Sequence, residues 1–239
     1  MKTKSSAPLE MVKIVARGLG SLRERVVFLG GAATSLLMTD PALPHIRTTL
    51  DVDVIVEVLS KMDYYRLEDS LRELMFTQSI DSDQPVCRWS FQGVIVDVMP
   101  TDTRILGFSN RWYSQAIHHS ETVRIDDDLA IRVVTAPFFL ATKIEAFLGR
   151  GKGDFLSSHD IEDMISILNG RKELIGEVAL SSPELRTSLS ATFKAFLETE
   201  AFMESISGHL LPDPANQARC GIVLDRINQI ANICDQGPF

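Results

Sequence analysis

The sequence predicts an α+β protein, with an α/β part over residues 1–135 and a helical part over residues 136–239. Before Ala136, short apolar runs alternate with polar residues at the two-residue period of strands. After it, apolar residues recur at helical spacing toward the end of the chain. A composition of 45% hydrophobic and 23% charged residues is that of a globular protein. Since no linker-like segment separates the two parts, we expect them to pack together.

The α/β part is predicted to combine helices and short strands. Helical spacing favours helices over 8–18, 32–38 and 63–76. Strand patterns bounded by turn residues cover 26–30, 51–58, 87–99 and 121–134. The third of these runs contains Gly93, and the fourth reads as a hairpin that turns at Asp126–Asp128. Two prolines make residues 39–49 a loop.

Charge, cysteine content and hydropathy exclude several classes of protein. A net charge of −8 argues against a protein that coats nucleic acid nonspecifically, because such binding neutralises phosphates. Three cysteines without paired spacing indicate reduced thiols in a cytoplasmic protein. Charged residues interrupt the N-terminal segment, unlike a signal peptide, and no run reaches the roughly 20 apolar residues of a membrane span. We therefore expect no membrane partner.

Three aspartates form the pattern with the clearest chemistry. Asp51 and Asp53 lie two residues apart on a predicted strand and share the face opposite its valines. Asp97 takes a similar position among valines on a later strand. The simplest interpretation of an isolated D-x-D pair is a solvated strand face, but this face has no interleaved Lys or Arg. Clustered carboxylates repel one another unless a cation joins them, so the pattern predicts a site for Mg2+ or Mn2+.

A glycine pair precedes the aspartates along the chain. Gly30 and Gly31 end the first apolar run, just before a predicted helix. Glycines allow backbone N–H groups to approach a phosphate closely at a helix N-terminus. A tight turn alone would also explain the pair, but beside three matching acids it strengthens the metal-site interpretation.

These motifs resemble those of a known superfamily. The segments LGGAATSLL, RTTLDVDVIV and VIVDVMPTD are similar to the core of DNA polymerase β-like nucleotidyltransferases. The segment ATKIEAFLGRGKGDFLSSHDIEDMISIL is similar to the K…R…D-x-x-D segment of AbiEii- and MenT-type toxins. The resemblance covers about residues 26–168. It departs from the usual pattern in the long interval between Gly31 and Asp51, and in a glycine at position 31 where many relatives have serine.

The resemblance implies a polymerase β-like nucleotidyltransferase core, which is a mixed sheet with flanking helices, and a C-terminal helical domain. The NTP substrate would lie in the cleft between them. Asp51 and Asp53 would bind both metal ions, and Asp97 would complete the catalytic one and help deprotonate the acceptor hydroxyl. The phosphate-binding positions that it implies are Gly30, Gly31, Arg47 and Thr49.

Three cations of the helical part match the toxin segment. Lys143 lies among apolar residues of a predicted helix, and a cation in such a place needs an anion. A triphosphate would supply it, whereas the alternative is a surface lysine whose stem alone is covered. Arg150 and Lys152 lie in a glycine-rich turn that either closes over the triphosphate or remains a solvated turn. Both interpretations stay open on the sequence alone.

Two aspartates follow this turn. Asp160 and Asp163 are three residues apart and share a face of the next predicted helix. Ser157 precedes Asp160 by three residues, as in a capping box, so Asp160 serves either the site or the start of the helix. For Asp163 the resemblance favours a catalytic role.

Two weaker signals have alternatives of equal weight or better. Residues 101–113 interleave arginines with aromatics, which either stack on bases or place an aromatic ring in the core. His118 and His119 have no partner at zinc-ligand spacing and are predicted to be surface or core histidines.

These patterns predict a nucleotidyltransferase that moves a nucleoside monophosphate from an NTP to an acceptor hydroxyl. The toxin resemblance implies RNA as the acceptor, above all the tRNA 3′ end, and a cognate antitoxin as a partner. A protein or small-molecule acceptor stays open, and the negative charge favours it because tRNA-binding proteins usually carry a basic face. A nucleotide-binding protein without catalysis is the remaining alternative.

Overall fold

The chain folds into two compact units. A computed structural model describes residues 7–40, 48–58, 60–78, 85–107, 110–151 and 153–235. The first unit comprises Met1–Leu36 and Arg47–Thr135, and the second comprises Leu37–Ile46 and Ala136–Phe239. The segment after Leu36 therefore differs from the sequence-based division. The backbone N–H groups of Thr39 and Asp40 donate to the carbonyl of Gly170 at 3.0 and 2.9 Å, which ties this segment to the second unit.

A six-stranded mixed sheet forms the centre of the first unit. Its strands are β1 (Val26–Leu29), β2 (Asp51–Val56), β3 (Arg88–Phe91), β4 (Val94–Pro100), β5 (Glu121–Asp126) and β6 (Leu129–Val133), in the spatial order β3-β4-β2-β1-β6-β5. β2 runs parallel to β4 and antiparallel to β1, while β1 runs parallel to β6. The sequence-based expectation of an α+β fold with a mixed sheet is thus confirmed.

Two hairpins complete the sheet. Gln92 and Gly93 have φ angles of 49° and 81° and form the two-residue turn between β3 and β4, as hairpins with a right-handed twist require. The second hairpin joins β5 to β6. Asp126 is the last residue of β5 rather than part of the turn, so the predicted turn began one residue too early. Its carboxylate instead accepts a hydrogen bond from Arg17 at 3.0 Å.

Helices flank this sheet. They are α1 (Ala7–Gly18), α2 (Gly30–Leu37), α3 (Lys61–Glu73), α4 (Thr103–Leu106) and α5 (Tyr113–His118), with a 3-10 helix at Gly20–Glu24. The first three were predicted with slightly different bounds, whereas α4 and α5 lie in or near the segment interpreted as an aromatic-rich loop. Trp112 of that segment is only 2% exposed, so the core interpretation holds for its ring.

The second unit is helical, as the sequence predicts. Its helices are α6 (Ala136–Arg150), α7 (His159–Gly170), α8 (Leu174–Leu180), α9 (Pro183–Leu197), α10 (Glu200–Ser205), α11 (Pro214–Gln217) and α12 (Cys220–Ala231), with a 3-10 helix at Ile206–His209. A cluster of phenylalanine rings lies in its core, where Phe155 contacts Phe147, Phe196 and Phe202 with centroids 4.7–5.5 Å apart. None of the helices in the described part of the chain is long and apolar enough to cross a membrane.

Candidate functional site

The three predicted metal ligands share one face of the sheet. Asp53 is paired with Asp97 in the parallel register of β2 and β4. Directly paired residues on neighbouring strands point to the same face, and Asp51, two residues before Asp53, points there as well. The valines that alternate with them are buried on the opposite face: Val52, Val54, Val96 and Val98. The pattern read from the sequence is therefore present in the folded sheet.

Gly30 lies against Asp53 at the corner where β1 ends and α2 begins. Leu29, its neighbour, is paired with Asp53 across β1 and β2. Gly30 has a φ of +71°, and a Cβ added to it would lie 1.8 Å from Oδ2 of Asp53. Only glycine permits this approach, so the close fit of the corner to the carboxylate is built into the backbone. Gly31 follows as the second residue of α2 and is buried.

Arg88 is the member of this face that sequence reasoning missed. Its position on β3 is paired with Asp97 across the hairpin. Nε donates to Oδ1 of Asp97 at 2.8 Å and Nη2 to Oδ2 at 2.7 Å, while Nη2 also lies 3.6 Å from Oδ2 of Asp51. This two-bond contact is the strong form of an arginine–carboxylate pair, and the hydrogen bond to Asp97 raises the pKa of the guanidinium still further.

The arginine corrects one premise of the sequence analysis. The sequence predicts an acidic face with no interleaved Lys or Arg. This is true within β2 and β4, which carry the acids, but wrong for the sheet as a whole. Strand pairing places Arg88 beside Asp97 and near Asp51. The repulsion among the acids is thus partly relieved by a cation that belongs to the protein itself.

Thr49 also contacts an acid of this face. Its hydroxyl donates to Oδ1 of Asp51 at 2.8 Å, and the residue is buried. A hydroxyl has a single proton to donate. In this structure Thr49 therefore positions the carboxylate of Asp51, in place of the phosphate contact implied by the resemblance. Arg47, the other phosphate-binding position expected here, lies outside the described residues.

The donor set of this face suits a divalent cation. Three carboxylates offer the hard oxygen ligands that Mg2+ and Mn2+ prefer, and the glycine corner leaves no side chain between α2 and Asp53. As they stand, no three His, Cys, Asp or Glu side chains of the described ranges are gathered where one ion could bind them. Both oxygens of Asp97 accept hydrogen bonds from Arg88, so a cation bound there would lie close to the guanidinium charge.

A second charged cluster lies in the second unit, on α6 and α7. Nζ of Lys143 is 2.6 Å from Oδ2 of Asp163 and 3.2 Å from Oδ1 of Asp160. The side chain of Arg150 donates to both oxygens of Asp160, at 3.1 and 3.2 Å. Lys143, Asp160 and Asp163 are all buried. The buried ammonium of Lys143 does have anionic partners, and they are two carboxylates of the protein.

The N-cap of α7 tests one of the two interpretations given to Asp160, its role at the start of the helix. The residue that caps α7 is Ser158, whose hydroxyl accepts from the backbone N–H of Ile161 at 3.4 Å. The capping role proposed for Ser157 and Asp160 is therefore wrong by one residue. Burial acts to raise the pKa of Asp160, but Lys143 and Arg150 outweigh it and hold that pKa below its usual range.

The remaining expected positions are outside the described residues or on the surface. Lys152 of the glycine-rich turn belongs to the first group. His118 and His119 are exposed, and the Nδ1 atoms lie 2.7 and 2.9 Å from the carbonyls of Ser114 and Gln115 one turn earlier. Their exposure agrees with the prediction that they are surface or core histidines.

Comparison with known proteins gives a likeness at the level of the fold. No protein-family model matches the chain, and no curated protein does. Among solved structures, the chain is similar to the crystal structure of JHP933 from Helicobacter pylori. The TM-score is 0.51 and the sequence identity 10%, over 98% of this chain and 96% of that one. The protein therefore has a fold similar to that of JHP933.

Proposed function

We propose that the protein is a metal-dependent nucleotidyltransferase that transfers a nucleoside monophosphate from an NTP to an acceptor hydroxyl. The observation that carries this proposal is the position of Asp53. It lies opposite Asp97 on a parallel strand and directly against the glycine corner at Gly30. A D-x-D strand, a third Asp on a neighbouring strand and a glycine turn at a helix start are the elements of the polymerase β-like resemblance.

Each residue of this face has a defined task in such a reaction. Asp51, Asp53 and Asp97 would hold Mg2+ or Mn2+, which supplies electrostatic stabilisation of the transferring phosphoryl group when bound. Asp97 would also accept the proton of the acceptor hydroxyl, as the resemblance implies. The first N–H groups of a helix have no acceptor within it, so those of α2 are suited to hold phosphate oxygens near Gly30.

The acceptor and the partner follow from the toxin resemblance. RNA, above all the tRNA 3′ end, is the acceptor that we propose, and a cognate antitoxin is the proposed partner. A protein or small-molecule acceptor is the second candidate, favoured by the net charge of −8, which opposes the approach of a polyanion. The sequence matched Lys143 to the triphosphate and Asp163 to catalysis, and left Asp160 open between the site and the helix start. A role of these three residues at the NTP site stays part of the proposal.

The proposal is tested by incubating the purified protein with each α-labelled NTP, Mg2+ or Mn2+, and total RNA. We expect label to enter RNA, and we expect Asp53→Asn to reduce transfer at least about 100-fold with unchanged thermal stability. Asp69→Asn, an exposed aspartate of α3, is the matched control and should retain full transfer.

The outcomes separate the parts of the proposal. Label that enters protein or small molecules would replace the acceptor but keep the transferase. Transfer by Asp53→Asn at the wild-type rate would refute the metal-ligand assignment. Absence of transfer from every NTP to every acceptor would refute the proposed nucleotidyltransferase activity.

A further inference from the structure

Arg88 lies between Asp97 and Asp51, two of the three carboxylates that would hold a divalent cation. We infer that Arg88 is a displaceable positioning residue, which holds these carboxylates until a ligand arrives that combines a divalent cation with a polyphosphate. The inference rests on the proposed function and specifies its substrate form, the metal–triphosphate complex bound as one unit. It concerns a residue of β3 that belongs to none of the motifs discussed above.

The backbone imposes the pair of Arg88 and Asp97. The two-residue turn at Gln92 and Gly93 sets Arg88 opposite Asp97, as the fourth pair from the turn. Facing side chains of an antiparallel pair are close enough to bond, and the guanidinium fork matches both carboxylate oxygens. The hairpin thus presents Arg88 to the acidic face in every molecule that folds.

The permanent charge of Arg88 opposes a metal ion at Asp97. A guanidinium does not lose its charge at any ordinary pH, so Arg88 leaves Asp97 only by moving. A divalent ion and a guanidinium on the same carboxylate would repel each other strongly at a few ångström. Arg88 and a metal ion therefore compete for Asp97, because a bare ion must either overcome this repulsion or displace the guanidinium.

The side chain of Arg88 has room to move. The Arg88 side chain is 29% exposed, whereas that of Asp97 is 13% exposed. A long, partly exposed side chain such as that of Arg88 can rotate toward solvent while Asp97 stays in place. The hydrogen bond from Thr49 to Asp51 does not involve Arg88, so a movement of Arg88 leaves this carboxylate its own positioning contact.

The consequence is a preference for the complex over the bare ion. A displaced guanidinium next to the site needs a new anion, and a triphosphate supplies one that an arginine fork binds well. The same residue that opposes a bare cation would then favour a cation that carries phosphates. Binding of metal and of polyphosphate is thereby coupled through Arg88.

The experiment compares binding of Mn2+ alone with binding of preformed Mn2+–tripolyphosphate, by calorimetry and by thermal shift. Tripolyphosphate is the probe because it needs no assumption about the base. The variants are Arg88→Gln and Arg88→Lys, and the matched control is Arg66→Gln, which removes an arginine that is 75% exposed from an ion pair within α3. Melting curves without metal show that each variant is folded.

For Arg88→Gln we expect about tenfold tighter binding of bare Mn2+, and a preference for the complex that falls at least about tenfold. Arg88→Lys should lie between this variant and wild type, because it keeps the charge and loses the fork. Arg66→Gln should behave as wild type.

The results distinguish this inference from the proposal beneath it. If Arg88→Gln binds bare Mn2+ as wild type does, or more weakly, the inference is wrong. That result leaves the proposed transfer activity untouched. If the wild-type protein binds neither Mn2+ nor its complex, both the inference and the proposed function fail. If Arg88→Gln does not fold, the intermediate affinity expected of Arg88→Lys decides the question by itself.

Discussion

At the scale of single residues, the surroundings of Gly30 admit no residue other than glycine. Gly30 combines a left-handed backbone with a carboxylate in the space that any side chain would need. Gly93 shares the first property, with a φ of +81°, but a Cβ there would meet nothing within 4 Å. Gly30 and Gly93 therefore separate the effect of backbone strain from the effect of a collision with Asp53.

We expect Gly30→Ala to destabilise the protein by at least about 2 kcal/mol and to remove transfer activity, since Asp53 must move to admit the methyl group. Gly93→Ala should cost only about 1 kcal/mol and leave transfer intact. Urea unfolding and the labelled-NTP assay on both variants check this. Equal losses of stability and of activity in the two would show that contact with Asp53 is unimportant.

Arg88 shows where residue-level prediction stopped short. The strand pattern over residues 87–99 was predicted with Gly93 inside it, but no hairpin with its turn at Gln92 and Gly93 was predicted. Counting outward from that turn pairs Phe91 with Val94 and then Arg88 with Asp97, as observed. This pairing depends on the type of turn, and nothing in the sequence shows that Gln92 has a positive φ.

At the scale of elements, α6 and α7 are joined by buried ion pairs. Lys143 on α6 meets Asp160 and Asp163 on α7, where little water reaches. Removing one partner of a buried pair leaves the other charge uncompensated, which is far more costly than losing an exposed pair. Lys194 and Asp235 form an exposed pair of similar length, 2.8 Å, in the same unit.

We expect Lys143→Ala to lower the free energy of unfolding by roughly 3 kcal/mol, because Asp163 loses its partner at 2.6 Å. Lys194→Ala should cost less than about 1 kcal/mol. Denaturant unfolding of the two variants measures both. A small loss for Lys143→Ala together with a large loss of NTP affinity would instead support the role that the toxin resemblance assigns to this lysine.

The same cluster makes stability depend on pH. The pKa of Asp160 is held below its usual value, so this carboxylate binds its proton less readily in the folded than in the unfolded state. Its contribution is complete above the unfolded pKa of about 3.9 and is lost as the pH falls through the folded value. Stability should therefore decline in acid rather than in alkali.

We expect Asp160→Asn to be less stable than wild type at pH 7, and we expect this difference to shrink as the pH falls below about 4. Asp69→Asn should stay within about 0.5 kcal/mol of wild type throughout. Unfolding free energies at several pH values provide the measurement. A difference that is constant with pH would show that the charge of Asp160 contributes nothing.

At the scale of the whole molecule, net charge bears on the acceptor. With 24 basic and 32 acidic side chains, the chain offers no long-range attraction to a polyanion. An RNA acceptor would have to be held by few phosphate contacts. Salt weakens nucleic-acid binding in proportion to the number of those contacts.

If RNA is the acceptor, we expect its KM to rise only shallowly with KCl between about 50 and 200 mM, less than about tenfold, since few phosphates are neutralised. Initial rates at limiting RNA measure this, with a small-molecule acceptor as the comparison. A rise of about a thousandfold would reveal an extended basic surface and would contradict the argument from net charge.

The sequence by itself determined the α+β class, the faces of the strands and the positions of the three aspartates. These follow from local rules, because strand alternation, helical spacing and turn residues act over a few positions. Only the tertiary structure decided which charges meet. Arg88 joins Asp97 through strand pairing, and Lys143 joins Asp163 through helix packing. Ion pairs form between residues that the backbone brings together, and the distance between two such residues cannot be read from a local sequence pattern.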